Sequence, residues 1–160
     1  MDALYEAAER VIARFRERGM TVAGAESCTG GLIAKTLTDV PGSSAVFAGA
    51  CVTYTNAVKE LLLGVDPAVI ARDTEVSHAC AAAMAAGVRE RLGVDAAVST
   101  TGFAGPGGGT PRDPVGTVYI GISTAAGVRT ERFSAPDPSS RAAVRASAAL
   151  RALQLLEEAL

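Results

Sequence analysis

Five short apolar runs punctuate this chain and most of them alternate with helix-like stretches, which limits the folds open to it more than any other feature. "MTVAGA" (Met20–Ala25), "AVFAGACVTY" (Ala45–Tyr54) and Ala96–Thr100 read as strands. "VGTVYIGIST" and "VRTERFS" read as two more, joined by "AAG" as a hairpin. Between them lie helical patterns. Asp2–Arg18 carries Leu4, Ala8, Val11, Ile12 and Phe15 near helical spacing, with Gly19 as its stop. "GGLIAKTLTDVPG" reads as a helix from about Gly30, ended by Pro41 and Gly42. "NAVKELLLG" is a short helix closed by Gly64, and Pro67 begins another helical turn. Glu75–Leu92 is Ala-rich, with Gly93 as its cap, and Ser139 or Ser140 caps a final helix. This order predicts an α/β fold: a three-layer α/β/α sandwich on a mostly parallel sheet with an antiparallel edge hairpin.

Length and charge narrow the function classes. The chain's 160 residues suit a single domain, 1–160, with a core large enough to need no disulfide or metal staple. The formal net charge is −2 and acids and bases are interspersed, so no basic stripe points to nucleic acid. Cys28, Cys51 and Cys80 form no C-x-x-C pair, which points to reduced thiols and a cytoplasmic protein. No apolar run reaches the roughly 18 residues of a membrane span, and the charged, amphipathic start does not read as a signal peptide.

The stretch with most chemistry is "GAESCTGG", Gly24–Gly31, where a strand gives way to a helix. Ser27 falls at the carboxyl edge of the sheet, where open α/β folds hold ligands. The amides of Cys28, Thr29, Gly30 and Gly31 follow at a helix start and suit an oxyanion or phosphate. Ser27 or Thr29 equally suits the plain role of helix cap. The flanking Glu26 and Cys28 exclude a G-x-S-x-G elbow. Cys28 is an alternative nucleophile, but the only histidine, His78, lies in the Ala-rich helix as a surface or packing residue rather than a base. A lysine made neutral by burial or by neighbouring positive charge is the other solution, starting from a free pKa of about 10.4. Only Lys35 and Lys59 exist. Lys35 falls mid-helix, whereas Lys59 follows "VTYTN" at the sheet edge that carries Ser27, beside the Tyr54 phenol.

Downstream, "TTGFAGPGGGTPRDPVG" holds six glycines between Gly102 and Gly116 in a loop long enough to be functional. It is neither a P-loop nor a dinucleotide fingerprint. Thr101, Gly102, Gly105, Gly107 and Gly108 are its candidate ligand contacts. Arg141, at the start of the last helix, suits a phosphate or carboxylate clamp, or a plain solvated charge.

Four segments together, "AESCTGGLIAKTLTDVPGSS", "VTYTNAVKELLLGV", "MAAGVRERLGVDAAVSTTGFAGPGGGTPRDPVGTVYIG" and "SSRAAVR", resemble the CinA C-terminal domain family of nicotinamide-nucleotide amidohydrolases over nearly the whole chain. The resemblance implies the stand-alone amidohydrolase form and hydrolysis of the carboxamide of nicotinamide mononucleotide to nicotinate mononucleotide and ammonia. It also implies a serine–lysine mechanism with no cofactor and no metal. The family's serine falls on Ser27, its tyrosine on Tyr54, its lysine on Lys59 and its substrate-side arginine on Arg141. In the mechanism expected here, Tyr54 orients a neutral Lys59 that takes the proton of Ser27. The expected partner is a small-molecule nucleotide, with no nucleic acid or membrane, in a homo-oligomer. The rivals are a non-catalytic nucleotide-binding domain linked to competence or DNA damage, and an amidase for another carboxamide. One turn departs from the family pattern Gly-Ala-Val-Ser-Glu: in "TEVSH", Thr74 and His78 replace its glycine and its acid. If that turn lines the pocket, substrate preference or assembly differs.

Overall fold

The structure is a computed structural model that describes residues 2–160. Each helix starts where a short polar side chain closes its first turn. Asp2 caps α1 (Ala3–Glu17), Thr55 caps α3 (Asn56–Leu63) and Asp66 caps α4 (Pro67–Asp73). Ser77 caps α5 (His78–Leu92) and Ser140 caps α6 (Arg141–Glu158). The exception is α2 (Leu32–Asp39), which begins after Gly31 at φ 99° with no cap from that residue. A 3₁₀ turn at Ser43–Ala45 then leads into the second strand.

Five strands, β1 (Val22–Glu26), β2 (Phe47–Val52), β3 (Ala96–Gly102), β4 (Thr117–Thr124) and β5 (Gly127–Ser134), form one sheet in the order β2-β1-β3-β4-β5. β2, β1 and β3 run parallel, while β4 and β5 add antiparallel pairings. Helices cover both faces, as the strand–helix alternation predicts. Alternate residues along the strands feed two cores. Val22, Ala96, Val98, Val118 and Ile120 face α1, α2 and α6, where Val11, Phe15, Leu37, Val144 and Leu153 pack. Ala23, Ala25 and Ala97 face Cys80, Met84 and Val88 of α5.

The second face is built for close approach. A Cβ on Gly121 of β4 would lie 2.5 Å from the Ala81 carbonyl oxygen and 2.6 Å from Ser99 Oγ. A Cβ on Gly87 would overlap the Leu63 carbonyl. The Ala-rich helix therefore lies almost on the backbone of the sheet and of α3.

Two boundaries shift in ways that matter. α5 begins at His78 rather than Glu75, because the Ser77 hydroxyl accepts from the Cys80 amide at 3.1 Å and sets the first turn there. Glu75 and Val76 are left in the connecting turn. β3 extends past Thr100 to Gly102, carried by its antiparallel pairing with β4. No helix among the described residues is long and apolar enough to cross a membrane.

Candidate active site

Because β2, β1 and β3 are adjacent and parallel, their carboxyl ends share one edge. Ser27 follows β1, Thr53 and Tyr54 follow β2, and Thr101 and Gly102 end β3. Between these ends lies a cleft of about 220 Å³, lined on the chemically active side by Ser27, Cys28, Tyr54, Lys59, Glu75 and Arg141.

At its floor, Lys59 Nζ lies 2.9 Å from Ser27 Oγ and donates to the Thr53 carbonyl at 2.8 Å. Lys59 is 1% exposed and Ser27 7%. Burial disfavours the ammonium and pulls the Lys59 pKa below its ordinary value, against weaker opposing pulls from Cys80, Glu75, Cys28 and Tyr54. A neutral amine at this distance is a base for the serine hydroxyl. Burial pushes the Cys28 thiol up to about 12, so it stays protonated and inert near neutral pH. Cys80, behind Lys59, rises to about 11 for the same reason. Of the two, the Ser27 hydroxyl is the one with the Lys59 amine at hydrogen-bond distance, which suits it to the role of nucleophile.

The serine is free for that role because another residue caps α2. Glu26, fully buried, accepts from Thr29 Oγ1 at 2.7 Å, the Ile33 amide at 3.0 Å and the Ala34 amide at 3.0 Å. A carboxylate thus sits at the helix N-terminus, where the unpaired amides and the dipole favour it. Neither Ser27 nor Thr29 caps the helix. Thr29 Oγ1 also lies 2.7 Å from Thr100 Oγ1, which ties β1 to β3.

Several expected ligand contacts lie elsewhere. Thr29, Gly30, Gly31 and Gly108 do not line the cleft. Thr29 is occupied by Glu26, and the Gly30 amide donates to the Ser27 carbonyl at 3.1 Å within the turn. Gly31 turns the chain into α2, and Gly108 packs beneath Phe103. Cys28, Thr101, Gly102, Gly105, Gly107 and Arg141 do line it. Tyr54 is also corrected in role. It is 57% exposed, and its hydroxyl accepts from Arg141 Nη1 at 3.1 Å, so the Thr53 carbonyl rather than the phenol orients Lys59.

Sequence reading missed three contributors. Arg145 Nε donates to the Cys28 carbonyl at 2.8 Å and lays its guanidinium over Gly30, pinning the nucleophile's turn. Its signal is the i, i+4 spacing from Arg141, which places both arginines on one helix face. The Thr53 carbonyl carries no sequence signal. Glu75, freed by the later start of α5, is signalled only by Ser77 as a cap. The departing turn lines two clefts: Glu75 and Val76 face this one, while Thr74, Val76, Ser77 and His78 face a neighbour of about 370 Å³ with Arg112, Asp113 and Tyr119. His78 stacks edge-on against Tyr119, with centroids 4.7 Å apart, and its Nδ1 lies 2.9 Å from Thr130 Oγ1.

Fold and site together define a three-layer α/β domain with a buried serine–lysine pair at the carboxyl edge of its sheet. The chain belongs to the CinA C-terminal domain family, whose pattern matches residues 4–160. It is 52% identical over 150 residues to a CinA-like protein of Myxococcus xanthus, covering 92% of this chain and 35% of that protein. It is 58% identical over 116 residues to a CinA-like protein of Chlorobaculum tepidum, covering 72% of this chain and 27% of that protein. The chain therefore spans about a third of the length of the curated relatives it matches. The crystal structure of competence/damage inducible protein CihA from Agrobacterium tumefaciens superposes with a TM-score of 0.93 at 39% identity, over 98% of this chain and 94% of that one. A CinA superfamily protein from Klebsiella pneumoniae superposes with a TM-score of 0.92 at 32% identity, over 97% of this chain and 96% of that one.

Proposed function

We propose that this domain hydrolyses the carboxamide of nicotinamide mononucleotide to nicotinate mononucleotide and ammonia, through a serine–lysine mechanism. The observation that carries the reading is the 2.9 Å approach of a buried lysine amine to a buried serine hydroxyl at a ligand-sized cleft. Neutral Lys59 takes the proton of Ser27 as its oxygen attacks the amide carbonyl. The Cys28 amide, which donates to no backbone or side-chain oxygen among the described residues, stabilises the oxyanion. Lys59 returns the proton to the departing ammonia, and water, deprotonated by the same amine, hydrolyses the acyl-enzyme. The phosphate docks on Arg141, held at the cleft mouth by Tyr54, with the Gly105 and Gly107 backbone beside it.

Three free thiols and a net charge of −2 support a cytoplasmic domain acting on a free nucleotide rather than on nucleic acid or a membrane. Exposed Val52, Leu61 and Leu62 support a homo-oligomer. The test is ammonia release from nicotinamide mononucleotide by the wild type beside Ser27→Ala. Release that falls by about 10³-fold or more in the variant is expected. Nucleotide binding with no release by the wild type would favour a sensor linked to competence or DNA damage. Release from other amides alone would favour a different amidase.

A further inference from the structure

Besides the buried Lys59, two charged side chains line the cleft, and they have opposite signs: Arg141 and Glu75. Arg141 is tied to Tyr54. The Glu75 carboxylate makes no hydrogen bond or ion pair among the described residues, although it is half-buried and lines the cavity. Its backbone is fixed, since Thr101 Oγ1 donates to the Glu75 carbonyl at 2.6 Å. Val76, next along, is buried against Phe103 and Tyr119. Lys59 feels its charge without bonding to it. A half-desolvated carboxylate held on a fixed backbone, with no cation bonded to it, is a site for a ligand's positive charge.

We propose that Glu75 makes this site selective for a carboxamide carried on a cationic ring. The inference rests on the reading of the site as the nicotinamide mononucleotide hydrolase above, and names what that site recognises. In that nucleotide the pyridinium ring is positive, the phosphate negative, and the amide hangs from the ring on the side away from the phosphate. Glu75 matches the charge of the ring and Arg141 that of the phosphate, in the same cleft whose Ser27–Lys59 pair meets the amide. Glu75 thus gives the cleft a preference for the quaternised ring over neutral aromatic amides of the same shape.

The test separates charge recognition from turnover. The Ser27→Ala protein, which binds without reacting, is titrated calorimetrically with nicotinamide mononucleotide and with its neutral isostere, the benzamide C-nucleoside 5′-phosphate. The cationic ligand is expected to bind at least about fivefold more tightly, the size of a partly exposed charge pair. Adding Glu75→Gln brings the ratio close to one, and Glu75→Ala gives the same ratio should the glutamine variant fail to fold. An unchanged ratio in the variant that folds overturns the inference, as does a parent protein that prefers the neutral ligand. A role for Glu75 confined to tuning Lys59 would slow both substrates alike and leave the binding ratio intact, and so would also overturn it. Turnover is measured separately on the Ser27 protein. Charge-selective binding without ammonia release sinks the hydrolase reading while leaving Glu75 as the charge reader. Ammonia release with a ratio indifferent to Glu75 does the reverse.

Discussion

Replacing Glu26 by glutamine tests how the nucleophile's turn is held. The two side chains have nearly the same shape, so the perturbation is to hydrogen bonding and charge. Glu26 Oε1 accepts from Thr29 Oγ1 and the Ile33 amide, and Oε2 accepts from the Ala34 amide. Glutamine keeps one acceptor oxygen, and its NH₂ group must face a backbone N–H. One hydrogen bond to a charged group is lost, at about 1.5–3 kcal/mol. The favourable placement of negative charge at the N-terminus of α2 is lost as well, worth about 0.3–1 kcal/mol at exposed sites and up to ~2 kcal/mol where partly buried. The expected total is about 3 kcal/mol. For a chain of this size each kcal/mol shifts Tm by about 2–4 °C, so Glu26→Gln should melt about 6–12 °C below wild type. Thermal unfolding followed by circular dichroism, with urea unfolding as a check, reads this directly. A Tm within about 2 °C of wild type would refute the assignment of Glu26 as the cap and return that role to Ser27 or Thr29.

Other expectations follow from the same structure. Lys59→Met should abolish ammonia release yet leave the fold intact and more stable, because a buried amine disfavoured as a cation is replaced by an apolar chain of similar length. The gain should depend on pH. A lysine whose folded pKa lies below its unfolded value penalises folding fully below the folded pKa, and the penalty fades as pH rises towards the unfolded value of about 10.4. The stability difference between variant and wild type, measured by urea unfolding, should therefore be largest at low pH and shrink above the folded pKa. Gly121→Ala should cost about 1–3 kcal/mol by the same assay, since its Cβ would lie 2.5 Å from the Ala81 carbonyl oxygen and 2.6 Å from Ser99 Oγ. A near-neutral result there would mean that α5 can lift off the sheet without penalty.

Much of the frame was legible because it depends on local pattern. Leu4, Val11, Ile12 and Phe15 recur at helical spacing and form one buried face of α1. Ser27 and Lys59 were legible as a pair because each follows a strand, and parallel neighbours bring their carboxyl ends to one edge. The finer contacts were not legible. Glu26 reaches amides seven and eight residues ahead only because the turn through Gly30 and Gly31 folds the chain back on itself, and such a path leaves no periodic trace. The partner that orients Lys59 is a backbone carbonyl, a group every residue has, so Tyr54 drew the eye instead of Thr53. Glu75 joined the cleft because Ser77 won the competition to start α5, a contest between adequate caps and good helix formers that propensity alone does not decide.

The central claim is that Lys59 works as an uncharged base on Ser27. Its most direct test is the pH dependence of kcat/KM for nicotinamide mononucleotide between about pH 6 and about pH 10. The account predicts a rate that climbs with pH and levels off at an ionisation below the free lysine value of about 10.4, in line with an amine whose burial favours proton loss. A rate that is flat or falls across that range would mean that the lysine acts as an ammonium ion and that some other group deprotonates the serine.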